Sequence, residues 1–307
     1  MRIRIVLLLL LLILVASCSS PTIVIPTTTY ISTPKSTLLK TIPVTSTHTF
    51  TPSPTNLPTL TYTSTPLPTW TPLSTLEPSA ALSFVIDLLQ DNAGCKLPCW
   101  WGITPGKTTW VEAQHFLESF SYSYGIRGAP NDYQVAEFGT PLSRSLGADP
   151  YAFGIRDGII EDIFKIYFGN ITASYNLVEM LNTYGQPDDI LISAYYEPRY
   201  SNYMVVVAIF YLRTGILVRY NDNGGGLAGD KIEVCPQEAT YPHLALWAPS
   251  LNLSLSEASS RYLDTRNWPA YRTIQEAAGM SIEAFYSTFL EPNNQLCLEL
   301  SANDWLK

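Results

Sequence analysis

The run Tyr151-Ala-Phe-Gly-Ile-Arg-Asp-Gly-Ile-Ile-Glu-Asp-Ile-Phe-Lys-Ile-Tyr-Phe168 decides the fold class. Two apolar-rich segments flank Asp157-Gly158, and both of these residue types tolerate positive φ, so the run predicts a β-hairpin from Tyr151–Ile155 to Ile159–Phe168. Along the second strand, Ile160, Phe164, Ile166 and Phe168 alternate in phase with Asp162, which predicts that this face points inward. Just upstream, Tyr133 to Phe138 alternates as a third strand. Before it, Thr109 and Glu112 form a capping box, and Trp110, Ala113, Leu117 and Phe120 recur at helical spacing as a core-facing stripe.

The same order then repeats. A helix opened by Thr172 or Ser174 carries Tyr175, Val178, Leu181 and Tyr184 and is stopped by Gly185 and Pro187. Strands follow at Ile190–Tyr196, Tyr203–Leu212 and, after Arg213-Thr214-Gly215, Ile216–Tyr220. The expected fold is therefore α+β, with two units of one helix plus an antiparallel three-stranded meander, at about 109–168 and 172–221. Each unit buries its helix on one sheet face, or the two join into a larger sheet. Asn221 to Gly229, NDNGGGLAG, reads as a flexible loop. Short strands are expected at Lys231–Val234 and Leu244–Trp247. A helical tail spans 254–290, with capping boxes Ser254/Glu257 and Thr273/Glu276, a stop at Gly279, and Ser281 capping Ile282 to Leu290.

Composition separates this part from what precedes it. From Ser19 to Ala81 the chain is rich in Thr, Pro and Ser, and its Xaa-Pro steps disfavour helix and remove backbone donors. Its apolar residues follow no sustained period, so the segment reads as a disordered linker that reaches at most roughly 200 Å in polyproline-II geometry. Leu82 to Lys307 is long enough to bury a core. Setting aside Arg2, Arg4, Lys35, Lys40 and Glu77, this domain keeps 14 Lys and Arg against 25 Asp and Glu, a net charge near −11. Phosphate binding needs a basic footprint, so nucleic acid is not an expected partner.

Cys95-Lys-Leu-Pro-Cys-Trp-Trp-Gly-Ile-Thr-Pro-Gly-Lys-Thr-Thr109 is the most distinctive loop. Three residues separate Gly102 from Gly106 where a phosphate loop needs four, so no nucleotide is expected. Cys95, Cys99, Cys235 and Cys297 lack the partners of a tetrahedral metal set, and an even count outside the cytoplasm favours disulfides. The pairing expected is Cys95 with Cys99 inside one loop, and Cys235 with Cys297 around the C-terminal helices. No metal or other cofactor is expected.

At the N-terminus, Arg2 and Arg4 precede an apolar run from Ile5 to Ala16, too short for a membrane span but suited to an export signal, residues 1–17. Val15-Ala16-Ser17-Cys18 resembles the lipobox of bacterial lipoproteins. That resemblance implies a diacylglycerol on the Cys18 thiol, cleavage before it, and a protein anchored through membrane lipid on the extracytoplasmic face of a bacterial cell membrane. Thr/Pro-rich spacers such as residues 18–81 look like those that carry lipoproteins through a cell-wall layer. Gly106-Lys-Thr-Thr-Trp-Val-Glu-Ala113 and Leu181-Asn-Thr-Tyr-Gly-Gln-Pro-Asp188 resemble the helix entrance and helix-end turn of small lipoproteins of the BamE (SmpA/OmlA) type and of β-lactamase-inhibitor-like folds. The resemblance implies helices on an antiparallel sheet and a role in binding other proteins, and it transfers no functional residue.

No catalytic motif is present: there is no G-x-S-x-G and no H-E-x-x-H. His115 lies off the helix stripe and reads as a surface residue, and His243 follows Tyr-Pro in a loop. Glu161/Asp162 and Asp188/Asp189 are adjacent in sequence, so on a strand the members of each pair point to opposite faces and cannot share a substrate. The expected function is a protein- or glycan-binding module of the envelope. A glycosidase-like hydrolase assembled from distant carboxylates and a structural surface protein are the alternatives. For binding, Tyr195-Tyr-Glu-Pro-Arg-Tyr-Ser-Asn-Tyr203 concentrates the residue types of interaction hot spots at a hairpin tip, and Tyr196, Arg199 and Tyr200 are the candidates. The Trp100-Trp101 loop is the second candidate surface.

Overall fold

The computed structural model describes residues 75–121, 123–129, 132–146, 150–167, 175–198, 201–238, 242–263, 270–290 and 296–305. All lie in the second of two compact units, Pro66–Lys307. Cys18, Arg199, Tyr200, Thr172, Ser174 and the linker up to 74 lie outside the described residues.

The two separate helix-plus-meander units do not exist. A single antiparallel sheet of nine strands carries the fold, with seven helices among the described residues. Its strands are β1 (Ser123–Arg127), β2 (Gln134–Gly139), β3 (Tyr151–Arg156), β4 (Ile159–Tyr167), β5 (Asp189–Glu197), β6 (Asn202–Tyr211), β7 (Ile216–Ala228), β9 (Pro242–Trp247) and β10 (Arg272–Thr273). The spatial order is β1-β2-β3-β4-β9-β7-β6-β5-β10. β9 is the stitch between the two meanders: Leu246 faces Ile163 of β4 on one side and Ile216 of β7 on the other. Both neighbours are far from it in sequence, so only its apolar composition was visible beforehand.

β7 is also longer than expected. It runs through the glycine-rich stretch, so the segment foreseen as a loop is strand. It pairs with β6 as far as Gly225 and with β9 as far as Tyr220, and its last residues pair with β8 (Lys231–Val234), which in turn pairs with β11 (Leu298–Ser301). A register shift between Tyr203 and Val205 marks the place where β7 leaves one sheet for the other.

Six helices contribute side chains to the main core. They are α1 (Pro78–Asp91), α2 (Trp110–Glu118), α3 (Pro141–Leu146), α4 (Leu177–Tyr184), α6 (Ile274–Ala278) and α7 (Ile282–Phe289). α1 starts four residues before the expected boundary, with Pro78 at its first turn, where the missing N–H costs nothing. Ala81, Val85, Leu88 and Leu89 form its buried stripe, and Asn92, in a left-handed conformation, closes it by donating its N–H to Leu88 O. α2 has the expected capping box and buries Trp110, Ala113 and Leu117. α4 is capped by Asn176, whose side chain accepts from Glu179 N. The remaining helix, α5 (Leu255–Tyr262), packs on a second apolar cluster that contains Phe210, Leu217, Ala245 and Trp247.

β4 feeds both cores because it is bulged twice. Gly154 pairs with Asp162 and Ile155 with Ile160, so Glu161 is an extra residue; a second shift lies between Ile163 and Ile166, where Lys165 takes φ +58°. The single inward face expected from strict alternation is therefore wrong. Ile160, Ile163 and Ile166 enter the main core, whereas Phe164 packs against the second cluster, and Phe168 lies outside the described residues.

The Trp100-Trp101 loop is interior rather than a binding surface. Trp100 and Trp101 are 0 % and 3 % exposed and stack at 5.0 Å, with Trp101 set edge-on against Phe120 and Tyr151. Asn92 holds the loop: its Nδ2 donates to Cys95 O at 2.8 Å and Cys99 O at 2.9 Å, and its Oδ1 accepts from Trp101 N at 2.9 Å. The following Gly106-Lys-Thr-Thr stretch is tied to the β3–β4 hairpin by Gly106 N to Ile160 O, Ile160 N to Thr108 O and Trp110 N to Gly158 O.

Both expected disulfides are present, Cys95–Cys99 and Cys235–Cys297. The second closes a loop of sequence separation 62 and ties the start of β11 to the end of β8; the first closes a separation of 4. Loop entropy assigns about 4 kcal/mol to the long bridge and about 2 kcal/mol to the short one. Equilibrium denaturation should accordingly find Cys235→Ser/Cys297→Ser less stable than Cys95→Ser/Cys99→Ser; the reverse order would show that the entropic ranking does not hold here.

Candidate functional site

Among the described residues, the buried carboxylates Glu161 and Asp162 lie where β4 meets α5. The bulge at Glu161 brings both members of the pair within reach of one cation: Arg261 Nη2 is 2.6 Å from Glu161 Oε1 and 2.7 Å from Asp162 Oδ2. Opposite-face geometry was expected for Glu161 and Asp162, and the extra residue in β4 is the physical reason it fails. Arg156 Nε donates to Glu161 Oε2 at 2.5 Å. Tyr133 and Tyr262 donate their hydroxyls to Asp162 Oδ1 and Oδ2, each at 2.8 Å. Arg261 also lies over the Tyr133 ring, 4.9 Å from its centroid, and Tyr262 stacks on Trp247 at 5.2 Å. Gly154 makes room for this assembly, since a Cβ there would stand 1.9 Å from Asp162 Oδ1 and 2.2 Å from the Tyr133 hydroxyl.

Electrostatics follow from this geometry. Burial pushes the Asp162 carboxyl above its ordinary range, against the downward pull of Arg261 and the two tyrosine hydroxyls. Burial also raises Glu161, but the hydrogen bonds from Arg156 and Arg261 outweigh it and leave that carboxyl below its ordinary range. Asp162 is 0 % exposed, and each oxygen of both carboxylates is engaged. A general acid or base must reach its substrate with a free lone pair or proton. Asp162 has no surface that a substrate could reach and Glu161 little, and the pair acts as a clamp that holds α5 to the sheet.

A cleft of about 170 Å³ opens between the C-terminal end of α1, the Cys95–Cys99 loop and α4. Tyr175 and Tyr184 supply its aromatic wall, and Asp91, Gln90 and Lys96 its polar rim. The Tyr184 hydroxyl accepts from Leu97 N at 3.0 Å, and Tyr175 leans on Trp100 with 6.1 Å between centroids. Near the chain's other disulfide, Glu233, Cys235 and Cys297 converge, but the two sulfurs are bonded to each other and no thiolate is left for a metal.

Of the hairpin candidates, Tyr196 is described. It is 42 % exposed near the end of β5 and rests edge-on against Tyr203 of β6, 5.4 Å between centroids. Tyr203 itself is buried in the main core. His243, expected in a loop, sits in β9 opposite Arg219 of β7. Burial, and then the Arg219 charge, push its imidazole down to about 4.

Sequence reading missed Tyr133, Arg156, Arg261 and Tyr262 of the clamp, and Asp91 and Tyr184 of the cleft. Arg261 and Tyr262 stand 100 residues from their carboxylate partners, so no local pattern links them. The one signal was an acid pair inside an apolar strand.

His243 carries a pH test. Its ordinary pKa is 6.5 and its folded value about 4, so between these limits the unfolded chain takes up a proton that the folded chain refuses. This contribution is intact above pH 6.5 and is lost as pH falls to 4, by up to about 3 kcal/mol. Urea denaturation at pH 7 and pH 4.5 should show His243→Gln losing less stability than the parent over that interval; equal losses would mean that the imidazole titrates normally. The chain matches no protein-family model, no curated protein and no solved structure.

Proposed function

We propose that the protein is a lipid-anchored binding module on the extracytoplasmic face of a bacterial cell membrane, recognising a protein or glycan of the envelope. Anchoring rests on the lipobox-like Val15-Ala16-Ser17-Cys18 and on the Thr/Pro-rich segment that separates it from the folded unit. Two or more acyl chains on Cys18 would make the attachment stable, because each buried methylene adds about 0.8 kcal/mol. Among the described residues no helix is long and apolar enough to cross a membrane.

The observation that carries the binding reading is Tyr196. An exposed aromatic ring braced by a buried one loses little side-chain entropy when a partner covers it, and tyrosine offers both a stacking face and a hydroxyl. The acid pair that would favour a hydrolase is consumed in the clamp.

The test is retention on the envelope. Full-length protein expressed with its own leader should label with radioactive fatty acid at Cys18, and Cys18→Ala should abolish the label. In detergent extracts, Tyr196→Ala should weaken retention on cell-envelope fractions about tenfold, equivalent to about 1.4 kcal/mol. Labelling of Cys18→Ala would contradict the anchor, and unchanged retention of Tyr196→Ala would move recognition away from this hairpin.

A further inference from the structure

The cleft beside the Cys95–Cys99 loop has a chemistry that selects its ligand. Its volume of about 170 Å³ is below the roughly 300–1,000 Å³ of sites that enclose drug-sized molecules, so it suits one ring rather than a nucleotide or a peptide segment. Asp91 and Lys96 together give the rim no net charge, which suits a ligand of no net charge better than an anion or a cation. The walls meet the needs of a polyhydroxylated ring. The half-buried Tyr184 gives an aromatic face for its C–H side, Tyr175 backs the cleft from the core at 6 % exposure, and the Asp91 carboxylate and Gln90 carboxamide are acceptors and donors for its hydroxyls.

We propose that this cleft binds a single pyranose ring of a neutral envelope glycan, an inference that rests on the binding-module reading and names a ligand class for it. The site is held ready before the ligand arrives. Asn92 spends its whole carboxamide on Cys95 O, Cys99 O and Trp101 N, the disulfide closes the same loop, and Tyr184 receives Leu97 N. Because the Tyr184 oxygen accepts that bond, its own proton is left to donate to a sugar hydroxyl. Asp91 Oδ1 is taken by Ala93 N at 2.9 Å, and no described residue bonds its second oxygen. The Tyr184 ring is propped by Tyr211 at 5.7 Å, as Tyr175 is by Trp100, so neither ring must be ordered on binding.

Saturation-transfer-difference NMR on the full-length protein in non-glycosidic detergent micelles tests this, with glucose, galactose and N-acetylglucosamine as probes. The expected result is transfer to the ring C–H protons of at least one probe with millimolar affinity. Asp91→Asn, which keeps an acceptor for Ala93 N, should weaken binding about tenfold, and Tyr184→Ala should remove it. Circular dichroism checks that both variants stay folded. Absence of transfer from all three sugars, or transfer that both variants leave unchanged, overturns the proposal. Retention on cell-wall polysaccharide is measured in parallel: retention without transfer to the sugars rejects the cleft alone, whereas loss of both rejects the glycan-binding reading as well.

Discussion

The bulge at Glu161 is the constraint on which the rest of the structure depends. One extra residue in β4 turns Ile160 and Ile163 toward the main core while Asp162 faces the opposite side, and a second irregularity at Lys165 returns Ile166 to the main core. A strand with unbroken alternation would place Asp162 and the isoleucines in conflict. With the bulges, β4 lines one core, supports β9 along its edge, and offers a carboxylate pair to α5. Gly154 completes the arrangement, because any side chain there would occupy the space of Asp162 and Tyr133.

Burying two carboxylates is costly, by several kcal/mol per ion before any pairing. Arg261 offsets this by bridging both, and Arg156, Tyr133 and Tyr262 each donate one further hydrogen bond. The result is specificity more than stability: an apolar α5 could slide on the Phe210, Leu217 and Trp247 surface, whereas one carrying Arg261 and Tyr262 has a single register. The sheet then holds the two proposed recognition elements at fixed positions. The Tyr196 hairpin lies toward the β5 end of the strand order, while the cleft is built from α1, α4 and the loop that Asn92 holds.

Local features were legible in the sequence. Capping boxes at Thr109/Glu112, Ser254/Glu257 and Thr273/Glu276 all form, as does the hairpin turn at Asp157-Gly158, because each depends on residues within a few positions of one another. The disulfide pairing was also readable, since a four-residue spacing admits one local bridge. What failed was non-local. β9 inserts between strands on either side of it only in the folded chain, and the glycines of Asn221 to Gly229 serve a strand that crosses between two sheets rather than a loop. Trp100 and Trp101 looked available because they sit in a loop, but the disulfide and Asn92 fold that loop inward. Bulges leave no periodic trace, so the meeting of Glu161 and Asp162 on one arginine could not be foreseen.

A double-mutant cycle between Asp162 and Arg261 tests the central claim that this clamp sets the position of α5. Stability of the parent, Asp162→Asn, Arg261→Met and the double variant is measured by urea denaturation at pH 7. Arg261→Met alone should cost about 3 to 5 kcal/mol, because it leaves the buried Asp162 without a cation while Glu161 keeps only Arg156. The double variant should recover about 2 kcal/mol or more relative to additivity. Losses that add to within about 0.5 kcal/mol would contradict the account, and would mean that apolar packing alone holds α5 to the sheet.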